Sequence, residues 1–192
     1  MRFDPDKHHR RSIRLRGYDY AQAGAYFITI VAQGRECLLG QVVNDEMQLN
    51  DAGRMIWDEW QALAHRFPAV ELDQFVVMPN HVHGIVRIVG ASLVDAHDGM
   101  TTTEGATTRR ATTRVAPTLG DIVGAFKSIT TNEYIRGVKT LGWQSFPGRL
   151  WQRNYYEHII RDDASLNRIR RYIVDNPAQW PNDDENPKKG RR

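Results

Sequence analysis

Two histidines separated by one valine, His81-Val82-His83, stand inside the apolar run VVMPNHVHGIVRI at 76–88. On a β-strand, residues two apart project from the same face. Both imidazoles therefore leave the sheet together, spaced to grip one metal ion, while Val82, Val86 and Ile88 point the other way into a core. Arg87 shares the histidine face, which argues for a face that is partly wet or anion-lined. The plain alternative is a pair of polar strand residues with no ligand. Two imidazoles also leave a metal site open, so a third ligand has to come from elsewhere in the chain.

Late in the chain, Tyr172 and Asn176 stand four residues apart in RYIVDN. On a helix that spacing puts both on one face. Leu166, Ile169 and Ile173 form the apolar stripe beside them, so Tyr172 either covers the edge of the core or points into a cleft. His158, in YYEHII, is another candidate ligand and shares a strand face with Tyr156 and Ile160. His8, His9, His65 and His97 carry no comparable pattern.

The elements that must position these residues are legible from their periodicity. Residues 26–32, YFITIVA, are β-branched and aromatic and read as a central strand. Residues 36–43 and 46–49 read as short strands around the turn Asn44-Asp45. The run 50–67 repeats Ile56, Trp60, Leu63 and Phe67 at helical spacing, and Pro68 stops it. Strands follow at 71–78 and 81–89, joined at Pro79-Asn80. Thr118 and Asp121 resemble a capping pair that opens a helix to about Arg136. A strand at 155–160 precedes a third helix from Asp163, expected to end near Asn176-Pro177 because proline disfavours helix in the residue before it. This order predicts an α+β sandwich, a ferredoxin-like antiparallel sheet with helices packed on it.

The 192 residues suit one domain. The segment 91–116 is rich in threonine and glycine, contains ATTRR followed by ATTRV, and reads as a flexible insertion. Residues 1–20 read as a basic arm, 21–180 as the domain proper and 181–192 as a charged tail. A single cysteine, Cys37, excludes an intrachain disulfide. No signal peptide or membrane-length apolar run is present, which points to a cytoplasmic protein. The net charge of +3 is small but clustered in arginines and lysines near both ends, while acids gather at Asp183, Asp184 and Glu185. Such clusters fit phosphate contact as well as an ordinary solvated surface.

Three stretches together, RGYDYAQAGAYFITIVAQGRECLLG, VVMPNHVHGIV and LWQRNYYEHIIRDDASLNRIRRYIVDNP, resemble the REP-associated tyrosine transposases, a branch of the HUH single-strand nucleases. The resemblance implies that His81 and His83 are the paired metal ligands and that Tyr172 is a single nucleophile. It also implies that Asn176 completes the metal site; Asn is one methylene shorter than the Gln of related transposases, so His158 or water is the alternative for that position. The implied cofactor is Mg2+ or Mn2+, and mixed imidazole and oxygen ligation favours manganese. The implied reaction cuts and rejoins single-stranded DNA at hairpins through a 5′-phosphotyrosine link with a free 3′-hydroxyl. DNA contacts would fall to Arg10, Arg11, Arg14 and Arg16 of the arm, to Lys127 and Arg153, and to Trp151, Tyr155 or Tyr156 stacking on unpaired bases. The assembly implied is a monomer or homodimer. A catalytically inactive hairpin-binding module and a metal hydrolase using water are the competing functions.

Overall fold

A computed structural model of the protein describes residues 19–89 and 117–189. The expected basic arm, except its last two residues, lies outside the described residues, as do Arg10, Arg11, Arg14, Arg16 and the insertion at 91–116. The chain forms β1 (Gly24–Val31), the hairpin β2 (Gly40–Val43) and β3 (Glu46–Leu49), then helices α1 (Asp51–Gln61) and α2 (Leu63–Arg66). Next come β4 (Val70–Val77), β5 (His81–Ile88), α3 (Leu119–Leu141), β6 (Tyr156–Ile160) and α4 (Asp163–Gln179). Four strands form one antiparallel sheet in the order β4-β5-β1-β6, the ferredoxin-like arrangement. No described helix is long and apolar enough to cross a membrane.

Strand alternation sorts the two faces. Tyr26, Ile28 and Ile30 of β1 pair with Val86, Gly84 and Val82 of β5, and this face meets α1 and α3 in the main core. Ile56, Trp60 and Phe126 come from the helices. The opposite face carries Phe27, Thr29, His81, His83 and Ile85, and α4 lies across it. Ile173 of α4 seats among Phe27, Ile85 and Ile160 and forms a small second core with them. Arg170 fastens the same helix to β4 with two bonds to Asp73, at 2.9 and 2.6 Å, where the β4 register shifts between Leu72 and Phe75. Helix α4 therefore has both an apolar plug and a bidentate ionic clamp holding its rotation.

Several boundaries depart from expectation for local reasons. The predicted strand at 36–43 begins only at Gly40, because 33–35 make a tight turn and Leu38 and Leu39 turn inward to the core. The predicted helix 50–67 is interrupted at Ala62. Helix α3 opens on the expected Thr118–Asp121 capping box but runs past Arg136 to Leu141, where Gly142 closes it in the left-handed conformation. Helix α4 does not stop before Pro177; it continues to Gln179. Pro177 forfeits one hydrogen bond near the helix end, while buried Ile173 and Asn176 hold the preceding turn in place.

Gly84 separates the histidines from the core. Trp60 stacks on Phe75 at 4.3 Å directly over it, and a Cβ at this position would stand 2.5 Å from the Trp60 ring. Trp60 is only 1 % exposed and has nowhere to go. Gly84→Ala is therefore expected to destabilise the fold by about 1–3 kcal/mol through overpacking, measured by urea unfolding; unchanged stability would show that the stack can yield.

Candidate metal and nucleophile site

His81 and His83 are 0 % and 4 % exposed, so the expected partly wet face is dry at this point. The correction has a simple cause: α4 and the segment after it cover the strand, whereas Arg87, further along, is exposed and faces Glu71 at 3.5 Å. The two Nε2 atoms stand 3.0 Å apart. Adjacent ligands at bond lengths of about 2.1 Å around an octahedral ion would be separated by about this distance.

The tautomer of His81 follows from its neighbour. Asn80 is fully buried, and its Nδ2 donates to the backbone carbonyls of Arg35 and Glu185, both at 2.8 Å. Its Oδ1 is thereby aimed at His81 Nδ1, 2.9 Å away, as an acceptor. His81 must carry its proton on Nδ1, which leaves Nε2 with a free lone pair. His83 Nδ1 meets the Thr29 hydroxyl at 2.8 Å. That hydroxyl can accept from Nδ1–H when Nε2 serves as a ligand, an outer contact of the kind that orients metal-binding imidazoles. Burial pushes the His81 pKa down to about 3 and holds that of His83 well below its ordinary value. Both rings are neutral, the form that ligates metals.

A carboxylate completes the cluster. Asp183 Oδ2 lies 3.8 Å from His81 Nε2, and the ligand atoms of His81, His83 and Asp183 all fall within 4.8 Å of one another. Burial raises the Asp183 pKa, with further repulsion from Asp184. Asn176 is 1 % exposed, and its Oδ1 is buried with no hydrogen-bond partner. An unpaired buried amide oxygen costs about 1–3 kcal/mol, which a cation beside it would offset. Two neutral imidazoles, a carboxylate and an orphaned amide oxygen are a donor set that fits a divalent metal of intermediate hardness.

Tyr172 stands over this cluster. Its hydroxyl is 3.4 Å from His83 Nε2, and its ring meets His83 at 5.2 Å and Phe27 at 5.9 Å. At 47 % exposure, the ring has an open side. Burial of the hydroxyl, followed by the charge of Asp183, raises its pKa, while Asn176 opposes the shift. The helix-face spacing thus brings Tyr172 and Asn176 to the histidines of the same chain.

The other candidates are placed differently. His158 lies on the same sheet face but opposite Phe27, exposed, and is not in the histidine–aspartate group. Trp151 is a core residue, 3 % exposed, whose Nε1 donates to Thr130, so the expectation that it stacks on a base is corrected. Lys127 is tied to the carbonyls of Gln152 and Arg153. Arg153 is exposed. Asp183, Asn80 and Thr29 went unrecognised in the sequence. Asn80 and Thr29 act through cross-strand and loop contacts, and Asp183 comes from a segment without periodicity; only its place in an acidic run marked it.

No protein-family model matches the chain. Its solved likenesses include a REP-associated tyrosine transposase bound to a REP hairpin, at a TM-score of 0.53 and 17 % identity, covering 88 % of this chain and 74 % of that one. The fold is that of this class of transposase. A proposed transposase from Deinococcus radiodurans is also similar, at a TM-score of 0.43 and 19 % identity, covering 85 % of this chain and 96 % of that one. In sequence, the chain is 40 % identical over 176 residues to an uncharacterized protein of Haemophilus influenzae, covering 92 % of each. The chain belongs to the same family as that protein.

The depressed pKa of His81 has a consequence for stability. Between pH 6.5 and about 3 the unfolded chain binds a proton at this residue that the folded site refuses. Stability is therefore fully present above pH 6.5 and lost as pH falls, by roughly 1 kcal/mol per pH unit. Urea unfolding at pH 7 and pH 5 should show this loss, and His81→Gln should reduce its slope, leaving the share that buried His83 carries; equal slopes in the two proteins would contradict the assignment.

Proposed function

We propose that the protein is a divalent-metal-dependent DNA transposase of the single-tyrosine kind, which cuts and rejoins single-stranded DNA at hairpins. The observation that carries this reading is the convergence of Tyr172, the His81–His83 pair and Asp183, with Tyr172, His83 and Asp183 lining one cleft. The hairpin-bound transposase of the same fold supports the choice of DNA. His81, His83 and Asp183 would hold the ion, with the Asn176 oxygen beside it. When bound, the ion supplies charge neutralisation at the scissile phosphate. Manganese, which takes oxygen ligands readily and tolerates imidazole, is the ion proposed.

The chain's own residues set up the rest. Phe27 and His83 fix the Tyr172 ring edge-on and at a tilt, so its hydroxyl projects toward the cluster. The phenol oxygen attacks phosphorus, forming the tyrosyl–phosphate bond as the bond to the 3′-oxygen breaks. The phenol proton leaves through the open side of the ring, and the departing 3′-oxygen takes up a proton to become a hydroxyl. Asp183 resists loss of the phenol proton while its charge is free. A cation held by Asp183 would screen that charge and ease loss of the phenol proton. Rejoining is the same exchange in reverse with another 3′-hydroxyl. The catalytic unit is assigned to 21–180 together with Asp183 from the segment that follows, and the arm at 1–20 to phosphate contact.

Labelled hairpin DNA with a single-stranded foot, incubated with Mn2+, should give a covalent adduct on a denaturing gel that Tyr172→Phe abolishes while DNA binding survives. An adduct in that variant would remove Tyr172 as nucleophile. Cleavage without any adduct would favour a hydrolase, and binding without cleavage an inactive module. Asp183→Asn should weaken Mn2+ binding at least about tenfold by calorimetry; unchanged affinity would exclude the carboxylate from the ion.

A further inference from the structure

Phe27 is ringed by three aromatic side chains. His83 stacks on it at 5.4 Å, and Tyr172 and Tyr156 meet it edge-on at 5.9 and 6.3 Å. Two of these neighbours belong to the site already described. Tyr156 has no role in it. It opens β6, the edge strand of the sheet, directly opposite Thr29, whose hydroxyl holds His83. Alternation puts it on the histidine face. Its ring is 53 % exposed, although a large aromatic on a folded face is ordinarily covered.

The neighbouring aromatics lack this freedom. Tyr155 borders the same cleft as Tyr156 but is partly buried against the main core, and Trp151 is enclosed in that core. Of the three, Tyr156 is the most exposed, and it shares Phe27 with Tyr172. It lines a cleft of about 890 Å³ together with His83 and Tyr172, and Gln152, Asn154, Gln179 and Asn182 border the same space. Amides of this kind pair with base edges without demanding charge. Asp184 and Glu185 also border the cleft, where they are paired with Lys189 and Arg35. The neutral aromatic and amide wall therefore suits a base, while the ion-holding cluster suits the phosphate.

We propose that Tyr156 is the stacking platform for an unpaired nucleobase next to the scissile phosphate. The assignment rests on the reading of the site as a single-stranded DNA nuclease. A base laid on Tyr156 would leave its phosphate within reach of Tyr172, because both rings flank Phe27. Stacking on an aromatic face is tolerant of base identity, so Tyr156 would grip the strand and the amides would discriminate among bases.

The test uses the full chain and two fluorescent hairpins, one with a single-stranded foot carrying 2-aminopurine beside the cut and one blunt. Tyr156→Leu keeps an apolar cover on Phe27 and removes the π-face, and Tyr156→Phe keeps both. Wild type and Tyr156→Phe should bind the footed hairpin equally and alter the 2-aminopurine emission. Tyr156→Leu should bind it roughly tenfold more weakly, lose the emission change and bind the blunt hairpin as wild type does. Equal binding of the footed hairpin by Tyr156→Leu, with the emission change intact, would overturn the platform and leave the nuclease reading standing. Equal weakening on both hairpins would overturn it too, since the loss would not depend on unpaired bases. Failure of the wild type to bind either hairpin would overturn the nuclease reading and the platform with it.

Discussion

Two imidazole nitrogens 3.0 Å apart in a dry place are the constraint around which this molecule is built. Lone pairs at that distance repel unless a proton or a cation lies between them. The arrangement persists because each ring is held from behind. Asn80 commits both of its donor hydrogens to backbone carbonyls and has only an acceptor left for His81. Thr29 holds His83 across the strand pair. Buried polar groups fixed in this way act as a preorganised site, since no reorganisation is needed when a ligand arrives.

The two faces of one sheet serve opposite ends. One is an ordinary hydrophobic core under α1 and α3, closed by the Trp60–Phe75 stack. The other holds a much smaller apolar patch, just enough to seat Ile173 and, with the Arg170–Asp73 clamp, to set the rotation of α4. Stability can reside in the first while the second accommodates buried polar groups that cost free energy. Gly84 lies between His83 and Ile85 and keeps the two faces from competing for space, because its missing side chain leaves room for Trp60.

Much of this was legible in the sequence because it follows from local periodicity. The His81–His83 alternation, the Tyr172–Asn176 helical face, the Thr118 cap and the order of strands all depend on neighbours within a few residues. What escaped depends on distant neighbours. Thr29 matters because register places it opposite His83, and Asn80 because it bridges Arg35 and Glu185. Asp183 looked like part of a solvated acidic tail, since nothing in its own stretch signals that the chain turns back. Pro177 was read by its usual effect on helices, which packing of Ile173 and Asn176 overrides here. Trp151 could have faced either way until the position of α3 was known, and Thr130 claims its indole nitrogen.

The bond from Asn80 to the carbonyl of Glu185 spans 105 positions. Chains are made from the N-terminus, so the histidine strand leaves the ribosome long before the residues that orient His81 and supply Asp183. A nascent chain already carrying both histidines, and even Tyr172, lacks the closing segment. The site closes only when this late segment returns to the histidine strand. The histidine strand and Tyr172 can meet without that segment, but His81 gains its oriented neighbour and Asp183 only when the segment turns back.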